Sequence, residues 1–237
     1  MKAVYFREIK SYFYTMTGWL FTAVFLALSS LVFFLNNILP RSSEFASFFS
    51  MMSYVWMLLT PVLVMRLMAG EKRQNTDSLL RSAPLPLSSV VAGKYLAACT
   101  VLLIALVISL FYPLMLSGYA RVYPAEVLTG YAGFFLQGCA FIALDLMVTT
   151  NMKNTVSAAA LAFGVNLFVW LASLLAASAS VSPLLARAVA FISLYDRLVP
   201  FLSAQFSPAN TLFYLLFSIS MLSLSVLMAH TARSRRS

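Results

Sequence analysis

The sequence predicts an all-α integral membrane protein with six membrane-spanning helices. Three observations carry this. The 237 residues are 62% hydrophobic and 10% charged, with a mean hydropathy of +0.89, whereas soluble domains carry about 25% charged residues. Charge-free apolar runs recur at lengths of about 20 residues, the length that crosses roughly 30 Å of hydrocarbon. No run alternates with period two as a barrel strand must, and single spans must be helices because lipid cannot satisfy an open strand edge. The whole chain, 1–237, reads as one transmembrane domain.

The elements follow in order. Residues 1–14 place Val4, Phe6, Ile9 and Phe13 at helical spacing with Lys2, Arg7 and Lys10 elsewhere on the wheel, which predicts an interfacial amphipathic helix. The six spans are expected near 18–39, 46–65, 95–118, 128–149, 155–178 and 208–230. Between the second and third lies a polar loop, 66–94, with five of the sixteen basic residues. In it Asn75 or Thr76 can cap a short helix through Leu80, Pro84 and Pro86 stop it, and Ser88-Ser89 can cap the next helix. Before the last span, Leu185, Ala188, Ile192, Tyr195, Val199 and Leu202 recur at steps of three and four, predicting an extracytoplasmic amphipathic helix.

Orientation comes from the basic residues. Twelve lie on the side of the N-terminus, from Lys2 through the 66–94 loop and Lys153 to Arg236, against four (Arg41, Arg121, Arg187, Arg197) on the other. The positive-inside bias places both termini and the loop in the cytoplasm. The net charge of +9 is then mostly juxtamembrane charge facing anionic lipid. No compact basic domain exists to bind nucleic acid. The N-terminus lacks the short apolar core and cleavage site of a signal peptide, and Cys99 and Cys139 fall inside expected spans, which argues against a structural disulfide.

Enzyme chemistry finds little support. His230 is the only histidine, and no His/Cys cluster has the spacing of a zinc site. Gly93-Lys94 lacks both the upstream glycine and the following Ser/Thr of a nucleotide-binding P-loop. Paired carboxylates within one span are also missing. Of the polar residues at membrane depth Asp145 is the sharpest case and Gln137, Asn166 and Asn210 are weaker ones; Asp145, Gln137 and Asn166 are the candidate intramembrane polar site. A carboxylate at a helix centre costs about 2.5–3.5 kcal/mol to insert, so Asp145 should face the bundle interior or cytoplasmic water, with Lys153 or Arg66 as candidate partners. Interhelical hydrogen bonding accounts for the amides. Pro61 and Pro113 should kink the second and third spans.

The loop presents Leu79 and Leu80 beside charges, and exposed leucines on a cytoplasmic helix suit a groove on another protein. Its residues Pro61, Met65, Arg66, Glu71, Lys72, Arg73, Thr76, Leu79, Leu80, Pro84, Gly93, Lys94 and Tyr95 resemble the pattern of type-2 ATP-binding-cassette (ABC) exporter permeases, of the small six-span kind found with gliding-motility-type systems. Asn75 stands where that family has glycine, and Ser78 where it has an acid, with Asp77 alongside. The run Thr149-Thr150-Asn151-Met152-Lys153-Asn154 is similar to the family's turn between spans four and five.

The resemblance implies a permease subunit, not itself an enzyme, in a bacterial inner membrane. It would pair with a second permease chain as homodimer or heterodimer. It would dock on a separate ABC ATPase that holds the ATP and magnesium, so the chain needs no cofactor. The coupling helix would run from about Thr76 to Pro84, with Glu71, Arg73, Thr76, Asp77, Leu79, Leu80 and Pro84 as the ATPase-coupling residues. Small residues Ser157 to Ala160, Ala162 and Gly164 would set span five near the second chain. The alternative on the same topology is a non-transport membrane anchor or scaffold. Nothing in the sequence names a substrate.

Overall fold

The computed structural model describes residues 2–14, 16–73, 86–118, 120–152, 154–176 and 193–234. The regular elements are all helices, with no strand among the described residues. Helix α1 is Lys2–Tyr14, α2 Thr17–Phe33, α3 Ala46–Arg73, α4 Leu87–Ser109, α5 Phe111–Ser117, α6 Pro124–Thr149, α7 Thr155–Ala176, α8 Val199–Leu202 and α9 Pro208–Ser234. A π-turn, Phe34–Ile38, extends α2.

Among the described residues, five helices are long and apolar enough to cross a membrane: Gly18–Ile38, Ala46–Met65, Leu87–Ser117, Pro124–Thr149 and Pro208–Thr231. The fifth expected span coincides with α7, whose described apolar stretch runs Thr155–Leu171. Charge alone misplaced the start of the third span. Taking Lys94 as a boundary set it at 95, but the helix begins at Leu87 and Lys94 is buried within it. The expected Ser88-Ser89 cap is likewise not formed. Pro86 is the N-cap, in extended conformation, and Ser88 and Ser89 lie in the first turn.

Helix α6 is the centre of the bundle, packed against α3, α4, α7, α8 and α9. Between helices in lipid the hydrophobic effect supplies no attraction, so close packing and interhelical hydrogen bonds must hold them. Three glycines of α6 create that fit. A Cβ on Gly130 would lie 2.4 Å from the Phe49 ring, on Gly133 2.6 Å from Phe201, and on Gly138 2.5 Å from Leu102. Aromatic rings fill the same layer: Trp56 meets Phe21, Phe25 and Phe134 edge to face.

The flanking elements depart from the simplest amphipathic picture. On α1 the buried residues are Val4, Glu8 and Tyr12, while Phe6 is exposed, because α1 docks on α4 and only one turn-spaced row meets it. The Tyr12 hydroxyl donates to the Leu63 carbonyl at 2.8 Å. Of the helix expected before the last span, Leu185, Ala188 and Ile192 lie outside the described residues. Its remainder is a turn leading into α8, with Leu194, Leu198, Phe201 and Leu202 buried against the bundle rather than spread along an interface.

Candidate functional site

The loop residues carry the functional expectation, and they divide in two. Thr76, Asp77, Leu79, Leu80 and Pro84 lie outside the described residues. Glu71 and Arg73 stand in the last turn of α3, their side chains outside the description. That helix has 28 residues, about 42 Å at 1.5 Å per residue. It therefore exceeds the roughly 30 Å hydrocarbon thickness and continues past Met65 into the loop.

At the loop's other end, two consecutive residues tie α4 to two different helices. Gly93 admits α1: a Cβ there would sit 3.0 Å from the Val4 side chain and 3.3 Å from the Tyr5 nitrogen. Lys94 is buried, and its ammonium donates to the Leu67 carbonyl of α3. A buried cation must be hydrogen-bonded to be tolerated, so this contact fixes the two helices that frame the loop. Tyr95 is partly buried against the hydrophobic core, and α4 packs on α9. Sequence reading had taken Lys94 for a boundary charge, and only tertiary packing makes it a strut.

The intramembrane polar residues form two separate groups. In the first, the Gln137 carbonyl oxygen accepts from Ser53 Oγ at 3.0 Å and its amide donates to the Leu194 carbonyl at 3.3 Å. Tyr214 also donates to Leu194 O, at 2.6 Å. This group joins α3, α6 and α9 to the segment before α8. It lies beside a cavity of about 20 Å³ lined by Ser53, Tyr54, Met57, Gln137, Trp170 and Tyr195, among others. Tyr54 stacks on Tyr195 with ring centroids 5.2 Å apart and meets Trp170 edge to face. That volume holds about one water.

The second group pairs Asp145 with Asn166. The Asn166 amide donates at 3.3 Å both to Asp145 Oδ2 and to the Met57 carbonyl. Met57 is four residues before Pro61, so its carbonyl is the one that proline leaves without a helical donor. Pro113 repeats the arrangement. The carbonyl it frees, Ser109 O, accepts from the Tyr131 hydroxyl at 2.9 Å. Helix α3 runs unbroken through Pro61, whereas α4 ends at Ser109 and α5 begins at Phe111. Each proline is thus answered by a polar side chain from a neighbouring helix. Asp145 is fully buried in the interior, and its hydrogen-bond partner among the described residues is Asn166. Lys153 and the Arg66 side chain, considered as its counter-ions, lie outside the described residues.

Span five is divided by the packing. Ala158 and Ala162 are buried inside the chain, while Ser157, Ala160 and Gly164 face outward, with nothing within 4 Å of a Gly164 Cβ. Cys99 and Cys139 are buried free thiols. The fold and the composition together define a helical membrane protein. The chain matches no family model and no curated protein.

Proposed function

We propose that the chain is the membrane-spanning permease subunit of a type-2 ABC exporter, working with a separate ATPase and a second permease chain in a bacterial inner membrane with both termini cytoplasmic. The carrying observation is the double tie at Gly93 and Lys94. These residues stand at the end of the loop pattern that resembles such permeases. They link the helix leaving the loop to α1 and α3, which is what a lever needs if its displacement is to move the bundle rather than bend one helix. Such a switch needs ATP binding to favour one bundle arrangement by several kcal/mol, about 5.5 for a 1:99 to 99:1 reversal.

The test uses two variants with the full chain co-expressed with its candidate ATPase. Leu79→Asp combined with Leu80→Asp should abolish stoichiometric co-purification while the permease stays folded. Lys94→Met should keep the ATPase bound but lose the stimulation of ATP hydrolysis by the permease. Normal partner binding and activity in both variants would leave the scaffold reading standing in place of transport.

A further inference from the structure

Counting donors around Asp145 exposes a deficit. The cluster contains four acceptor oxygens: Met57 O, freed by Pro61, Asn166 Oδ1, and both carboxyl oxygens of Asp145. The Asn166 amide supplies two N–H groups, both spent on Met57 O and Asp145 Oδ2. Asp145 Oδ1 and Asn166 Oδ1 are fully enclosed and have no hydrogen-bond donor among the described residues. Turning the amide over does not help, because its oxygen would then face two oxygens. Buried acceptors of this kind in native proteins call for a donor or a cation.

Charge on the described side chains does not supply it. Besides Asp145, the titratable groups with described side chains on α6 and on the helices packed against it are Glu126, Tyr131 and Cys139 on α6, Tyr54 on α3, Lys94, Tyr95 and Cys99 on α4, and Tyr214 and His230 on α9; the side chains of Arg66, Glu71, Lys72 and Arg73 on α3 and of Arg233 on α9 lie outside the described residues. Helices α7 and α8 contribute none. Lys94 is turned to Leu67 O, Tyr214 to Leu194 O, Tyr131 to Ser109 O and Glu126 to the start of α3. No ion pair to Asp145 exists among the described residues.

We propose that Asp145, Asn166 and the Met57 carbonyl form an internal site for one small monovalent cation, a proton or a sodium ion. The single carboxylate charge matches a monovalent ion. A divalent ion would leave an uncompensated positive charge enclosed in the bundle, where an unpaired charge is costly. Met57 also lines the cavity of about 20 Å³ beside Tyr54 and Gln137, which leaves room for about one water next to the cluster. The site binds α3, α6 and α7 together at the Pro61 position, so occupancy stiffens that junction. This holds whether or not the chain is a permease.

The purified full chain in lipid nanodiscs is unfolded thermally in two series: rising sodium against choline at fixed pH, and falling pH in choline alone. Wild type should gain about 5–10 °C at a hundredfold excess of the bound cation over its dissociation constant. Asp145→Asn supplies its own donors and needs no cation, so it should be flat in the effective series. A response to sodium identifies the sodium ion, and a response to pH alone identifies the proton. Equal responses in the two proteins, or none in either, overturn the site. Should Asp145→Asn fail to fold, wild type decides alone. One radioactive sodium ion bound per chain, or a protonated carboxylic-acid band in its infrared spectrum without sodium, supports the proposal, and neither signal overturns it.

Discussion

Helices α6 and α9 read alike as sequence and behave oppositely as structure. Both are long and apolar, with mean hydropathies of 1.7 and 2.1 over their most apolar windows, yet 72% of that window is buried in α6 and 17% in α9. The more hydrophobic helix is the more exposed one. In lipid this is no paradox, because a leucine gains little by exchanging acyl chains for protein. What draws a helix to the centre is shape and polarity: the glycines that admit Phe49, Phe201 and Leu102, and the polar residues Gln137 and Asp145 that must find partners. Helix α9 instead presents Leu212, Leu216, Ile219 and Leu227 outward, a surface suited to hydrocarbon.

The contrast can be broken most sharply at Gly133. A Cβ there meets Phe201 at its own Cβ, close to backbone and unable to swing away. Gly133→Val should destabilise the folded chain by about 3 kcal/mol, at the upper end of overpacking costs, seen as a lowered midpoint of thermal unfolding in nanodiscs. Next comes Tyr131→Phe, which strips the donor from the Ser109 carbonyl that Pro113 leaves open. An unmade buried hydrogen bond costs about 1–3 kcal/mol. Restoring the helical donor with Pro113→Ala in the same chain should recover part of the loss, and a double-mutant cycle measures it.

A smaller effect is expected at Glu126. Its carboxylate accepts from the Phe45 and Ala46 nitrogens at 2.7 and 3.1 Å, holding the N-terminus of α3. Glu126→Ala should cost about 1 kcal/mol, as loss of a helix cap does, and should speed amide hydrogen exchange at Phe45 and Ala46 before any global change. Smallest of all is Ile219→Ala on α9, expected within about 0.5 kcal/mol because the side chain touches little of its own chain. A large drop there would mean that another protein covers this face in the assembled state.

Much of the fold is legible in composition. Long charge-free runs announced membrane helices, and five have the required length and hydropathy. The starts of the helices were less legible. Lys94 reads as the end of a span because lysine is costly in hydrocarbon, but a burial site with the Leu67 carbonyl at hand offsets part of that cost. Asp145, Gln137 and Asn166 stood out individually as polar residues at depth. Nothing in their spacing says that Asp145 and Asn166, 21 residues apart, share one cluster while Gln137 belongs to another. The loop residues Thr76 to Pro84 are legible only as a pattern.

The sequence by itself determined the solvent this chain lives in, since too few polar residues exist to cover a water-soluble surface and every apolar run must close its own backbone hydrogen bonds. Tertiary structure alone decided which helix lies at the centre, which side chains answer the carbonyls opened by Pro61 and Pro113, and where a buried carboxyl lacks a donor. The reason is that lipid treats all apolar faces alike. Only the close approach of glycines and the unmet demands of buried polar atoms distinguish one arrangement of these helices from another.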